Sequence, residues 1–79
     1  MNYYDFINAL EGIAVDKGLR LIMNRAPFKD DRLYLYFIDD SNQSHSKALV
    51  WDKKRETPVS MFARLEELAD EFKRKNAEI

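Results

Sequence analysis

Leu33-Tyr34-Leu35-Tyr36-Phe37-Ile38 is an unbroken run of six apolar and aromatic residues held between Asp30-Asp31 and Asp39-Asp40. A run so short, rich in aromatics and closed by turn-forming residues at both ends, reads as a β-strand. Alternation puts Leu33, Leu35 and Phe37 on one side and Tyr34, Tyr36 and Ile38 on the other. Both sides are apolar, which suits the centre of a sheet rather than its edge. The aliphatic and phenyl side is expected to meet helices. The side with two phenol hydroxyls is expected to meet water or a partner.

The remaining segments arrange themselves around this strand. Tyr3, Phe6, Ile7, Leu10, Ile13 and Ala14 follow the three-four spacing of one apolar helical stripe. Asn2 can cap that helix, with Asp5 near its positive end, and Gly18 can end it after Lys17. Gly12 weakens the helix by about 1 kcal/mol relative to alanine, and close packing against a neighbouring element is its expected reason. The outer face, from Tyr4, Asp5, Asn8, Glu11, Val15 and Asp16, forms a local acidic surface.

Leu19 to Arg25 reads as a first strand, with Leu19, Leu21 and Met23 on one side and Arg20, Ile22 and Asn24 on the other. Ala26-Pro27 ends the pairing, and Phe28 to Asp31 predicts a connection longer than a two-residue hairpin. Asp39 to Ser46 reads as a polar loop with neither glycine nor proline, expected to be the most mobile segment. Lys47 to Asp52 predicts a third strand, with Leu49 and Trp51 opposite Ala48 and Val50. Thr57 caps a second helix with Pro58 at its first position. Met61, Phe62, Leu65, Leu68, Ala69 and Phe72 form its apolar stripe. Asp70 with Arg74, and Glu71 with Lys75, are spaced for i,i+4 pairing.

Short connections make the three strands an antiparallel meander, and two amphipathic helices need one apolar face to cover. The expected architecture is therefore a single α+β domain over residues 1–79: helix, three-stranded antiparallel sheet, helix (αβββα), with both helices on one sheet face. Parity places Trp51 on the buried side, under the second helix.

Composition narrows the chemistry. Thirteen basic against fourteen acidic residues leave a net charge of −1, whereas a dedicated nucleic-acid binder is usually much more basic. The absence of cysteine excludes a disulfide scaffold, a thiolate zinc site and a cysteine nucleophile, and fits a cytoplasmic location. His45, the one histidine, reads as a solvated loop residue rather than a general base or metal ligand. Asp39-Asp40-Ser41-Asn42 lacks the glycine and terminal glutamate of a calcium loop. The two glycines, Gly12 and Gly18, build no phosphate loop. No apolar run is long enough to span a bilayer, and no basic segment followed by an apolar one opens the chain. The expectation is a protein that is not an enzyme, with no metal, no cofactor and no membrane partner.

Helix, three strands, helix is also the order of double-stranded-RNA-binding domains, to which the chain is similar in outline. Those domains carry a lysine-rich motif at the start of the second helix. Here Lys53-Lys54-Arg55 precedes the cap, and the first turn is Pro58-Val59-Ser60-Met61. The element order, the Met1-Asn2 start leading straight into a helix, the small size and the absent cysteine resemble small phage-encoded inhibitors, type II-A anti-CRISPR proteins among them. The resemblance implies an inhibitor that occupies the DNA-binding site of an RNA-guided nuclease. Those inhibitors are strongly acidic, whereas here Lys53-Lys54-Arg55 and Lys73-Arg74-Lys75 offset the acids.

The function expected from the sequence is thus protein binding, most specifically as a phage or mobile-element inhibitor of a host defence protein such as a CRISPR effector. The competing expectation is a homodimeric accessory domain that binds nucleic acid. The expected partner site is the open sheet face: Tyr34 and Tyr36, with Arg20, Arg32, Ile22 and Val50 around them. An alternative electrostatic patch combines Lys53, Lys54 and Arg55 with Glu67 and Glu71 of the second helix.

Overall fold

A computed structural model describes residues 2–26, 29–52 and 54–77, the side chains of residues 3, 25, 26 and 29–31 excepted. The element order is α1 (Tyr3–Asp16), β1 (Arg20–Ala26), β2 (Lys29–Asp39), β3 (Ser44–His45), β4 (Leu49–Asp52) and α2 (Pro58–Ala77). This is an α+β fold in which two helices accompany one antiparallel sheet.

Local chemistry sets both ends of α1 and the start of α2. The Asn2 side-chain oxygen accepts from the Asp5 N–H at 2.9 Å, satisfying one of the donors that the first helical turn leaves free. Gly18, at φ +71°, takes the left-handed conformation that reverses the chain, and the Leu19 N–H donates to the Ala14 carbonyl at 2.8 Å. The Thr57 hydroxyl accepts from the Ser60 N–H at 3.2 Å at the start of α2. Glu71 pairs with Lys75 at 3.4 Å as the spacing predicts, whereas Asp70 reaches across to Lys17, the C-cap of α1, at 2.6 Å. That pair ties the C-terminal end of α1 to α2.

β2 is the middle strand. On one side Leu21 faces Phe37, Ile22 faces Tyr36 and Met23 faces Leu35 of β2. On the other side the third strand is divided. β3 pairs Ile38 with His45 and Asp39 with Ser44, while β4 pairs Leu33 with Trp51, Tyr34 with Val50 and Leu35 with Leu49. Residues 46–48 thus stand against Tyr36 and Phe37 alone, a one-residue excess that makes a β-bulge. Ser46 bridges it from both ends: its N–H donates to the Phe37 carbonyl at 2.9 Å, and its hydroxyl accepts from the Phe37 N–H at 2.9 Å. A side-chain oxygen replaces the ladder carbonyl that the bulge removes. The third strand expected over 47–52 is therefore two short strands on one lane.

Pairing of β1 with β2 also continues further than expected. Ala26 pairs with Lys29 across a register shift, so the connection is shorter than the Phe28–Asp31 segment the sequence suggested. Pro27 and Phe28 lie outside the described residues.

The core lies between the helices and one sheet face. Leu33, Leu35, Phe37 and Trp51 from the sheet are buried with Phe6, Leu10 and Ala14 of α1 and Met61, Leu65, Leu68, Ala69 and Phe72 of α2. Leu21, Met23 and Leu49 pack against this cluster while half-buried. Trp51 is buried as its parity required, but its ring partner is on the first helix: Phe6 sits 4.6 Å away, centroid to centroid, and Phe62 of α2 lies 5.5 Å from Phe6. The Trp51 indole N–H is buried and makes no hydrogen bond among the described residues. That donor subtracts from what the ring gains by burial.

Gly12 departs from expectation. A Cβ built there would meet nothing within 4 Å, so no neighbour requires the missing side chain. Gly12→Ala should stabilise the fold by about 0.5–1 kcal/mol and raise the Tm by about 2–8 °C. Calorimetry of the two proteins checks this, and a lowered Tm would mean that the position is packed.

Candidate interaction face

The side of the sheet away from the helices is a grid set by the register. Arg20, Ile38 and His45 form one row across β1, β2 and β3. Ile22 and Tyr36 form the next, Asn24, Tyr34 and Val50 the third, and Arg32 with Asp52 closes the end. Ile22, Tyr34, Tyr36 and Ile38 are half-buried, and Val50 keeps 39% of its surface exposed. Both helices are committed to the opposite face.

The arginines that frame this face are already engaged. Arg20 meets the Asp40 carboxylate with two nitrogens, Nη2 to Oδ1 at 3.0 Å and Nε to Oδ2 at 3.3 Å. The Asp40 hydrogen bond and then its charge raise the Arg20 pKa above its ordinary value. Arg32 lies 3.8 Å from the Asp52 carboxylate, which Arg55 also approaches at 3.9 Å. Exposed pairs of this kind contribute little to stability. Their effect is on the character of the face, which presents apolar and phenolic surface between self-neutralised charges.

Beside Tyr36 the grid has a notch. Where β3 parts from β4, a hollow of about 330 Å³ opens between Tyr36, His45, Ser46, Lys47 and Ala48. The His45 ring meets Tyr36 edge-on at 6.1 Å, and its Nδ1 lies 3.1 Å from the Ser46 carbonyl. Sequence reading assigned His45 to a polar loop, but it belongs to this face. The bulge conceals it: odd residues of β4 face the helices, whereas His45 pairs with Ile38 and joins the open side. A second cleft of about 240 Å³, lined by His45, Lys47, Leu68, Glu71, Phe72 and Lys75 among others, separates this strand from α2.

The segment expected to be a free polar loop is a hydrogen-bonded turn. Asp39 ends β2 on the helix side, at 5% exposure. Its Oδ1 accepts from the Ser41 hydroxyl at 2.6 Å and the Ser41 N–H at 3.1 Å, and its Oδ2 accepts from the Asn76 amide at 2.8 Å. Gln43 completes the turn at φ 52°. Asp39 continues the odd-numbered series Leu33, Leu35, Phe37, and that parity was the signal in the sequence that it turns inward.

The alternative electrostatic patch is not assembled as one surface. Lys54 and Arg55 lie beside Asp52, before α2 begins, whereas Glu67 and Glu71 lie roughly 14–20 Å further along that helix. Lys53 lies outside the described residues. Among the described residues, no three histidine or acidic side chains gather as a metal ion would need, and no helix is long and apolar enough to cross a membrane. No protein-family model, curated protein or solved structure matches the chain.

The Ser41 hydroxyl, followed by the Asn76 amide, holds the Asp39 carboxyl below its ordinary pKa against the opposing effect of burial. Between the folded and unfolded values the native state binds fewer protons, so the clasp stabilises the fold above about pH 4 and is lost as pH falls through the folded value. Asn76→Ala should raise the Asp39 pKa and lower the Tm at neutral pH, with the difference narrowing in acid. Carboxyl titration by NMR and melting across pH 2–7 test this; a difference in Tm independent of pH would remove Asp39 from the explanation.

Proposed function

We propose that this is a small non-enzymatic protein-binding domain whose open sheet face receives another protein. The carrying observation is the uncovered face itself: Tyr34, Tyr36, Ile22, Ile38 and Val50 between arginines neutralised by their own aspartates. Tyrosine on partly apolar ground suits the centre of an interface, since it supplies area and a hydrogen bond at low side-chain entropy. The resemblance in element order extends the proposal to an inhibitor from a phage or other mobile element. Such an inhibitor would cover a working surface of a host defence protein, for instance a CRISPR effector. With Arg20 and Arg32 of this face paired to Asp40 and Asp52, it would do so through apolar contact rather than by imitating DNA.

The competing reading, an accessory domain that binds nucleic acid, needs cations free to take phosphates. Arg20 and Arg32, the two beside the tyrosines, are engaged with Asp40 and Asp52. That favours a protein partner.

Replacing Tyr34 and Tyr36 together with serine tests the site. The double variant should remain folded and lose about 2–4 kcal/mol of affinity for a partner captured from a host lysate. Binding that survives this change but fails on charge reversal of Glu67 and Glu71 would move the site to α2. Recovery of nucleic acid alone, lost steeply with added salt, would favour the competing reading.

A further inference from the structure

We propose that the chain forms a twofold dimer by pairing β1 with β1 of a second copy. The two edges of the sheet differ. The β3/β4 edge is short, broken by the bulge at 46–48 and carries Lys47 beside the break. These are devices that keep strand edges from pairing. β1 is longer and unbroken over most of its length: it runs for seven residues, Arg-Leu-Ile-Met-Asn-Arg-Ala, without proline or lysine, its one register shift falls at the far end between Arg25 and Ala26, and among the described residues it pairs with β2 alone. Leu21 and Met23, its helix-side residues, remain half-buried at the rim of the core.

Self-pairing has one favourable register. An axis through Ile22 sets Ile22 against its own copy, Leu21 against Met23 in both directions, and Arg20 against Asn24. Over residues 20–24 every apolar residue then meets an apolar one and no like charges face each other. Moving the axis by one residue sets Arg20 or Asn24 against Ile22. The Ile22 axis is therefore the one the side chains support.

A second feature falls on the same axis. Tyr4 and Val15 are 78% and 73% exposed on α1. At about 100° per residue they lie within roughly 20° of each other and about 160–180° from Phe6, which packs on Trp51 of the sheet and on Phe62 of α2. They therefore lie on the flank of α1 turned away from α2, with Asn8 and Glu11 between them. This stripe is symmetric about its midpoint: antiparallel apposition of two α1 helices sets Tyr4 against Val15 and Asn8 against Glu11. The midpoint lies about 7 Å back along α1 from Ala14, and Ile22 about 10 Å along β1 from Leu19, which is bonded to Ala14. The two self-complementary stripes are level to within about one strand residue. One axis serves both, and the helices of both copies stay on the same side of a continuous sheet.

Sedimentation equilibrium of the full chain over about 1 μM to 1 mM tests the inference. The parent should reach twice the 9.4 kDa chain mass within that range. Val15→Glu, on an exposed position, and Ile22→Lys, which sets like charges together at the axis, should each raise the dissociation constant by about tenfold or more. Circular dichroism confirms that both variants fold. A parent that stays monomeric throughout overturns the proposal. So does a dimer indifferent to both changes, whether or not Tyr36→Ser, on the open face, dissolves it.

Discussion

Leu35 and Phe37 on β2 have no exposed surface, and that burial depends on three neighbours at once. β1 and the β3/β4 lane close the strand edges, and the two helices close one face. Nothing in the described fold closes the other. A sheet of three lanes with two helices of 14 and 20 residues has enough chain to bury one side only. The apolar character of Tyr34, Tyr36 and Ile38 therefore becomes a surface property. Function, on this reading, follows from incomplete coverage: the same strand supplies the core on its odd positions and the interface on its even ones.

Two polar devices hold the far end of that strand. Ser46 carries the ladder across the bulge with its hydroxyl, which allows the third lane to change parity without leaving the Phe37 N–H unpaired. Asp39 locks the turn to α2 through Ser41 and Asn76. Together they fix the position of His45 and the notch beside Tyr36. A bulge that redirects one side chain onto a face and opens a hollow beside an aromatic ring is a common way for a sheet to acquire local shape.

Much of this was legible in the chain. The central run, the parity of its two faces, and the caps at Asn2, Gly18 and Thr57 are local properties, and each is seen in the structure. The open face followed from counting what two helices can cover. The bulge at 46–48 was not legible, because a serine that bonds like a backbone carbonyl has no distinct pattern in an already polar segment. His45 was misplaced for that reason alone. Lys17 with Asp70, and Asp39 with Asn76, join residues that only the folded helices bring together. Gly12 suggested a close approach that the helix does not make.

One-sided coverage is the claim on which the rest stands, and dye-sensitised photo-CIDNP reads it residue by residue in the folded protein. The dye reaches only aromatic rings open to solvent. Tyr34 and Tyr36 should polarise in the native state while Trp51, buried against Phe6, stays silent until the chain unfolds. Silent tyrosines at 34 and 36, or a native Trp51 signal, would show that the sheet has its covered face the other way round.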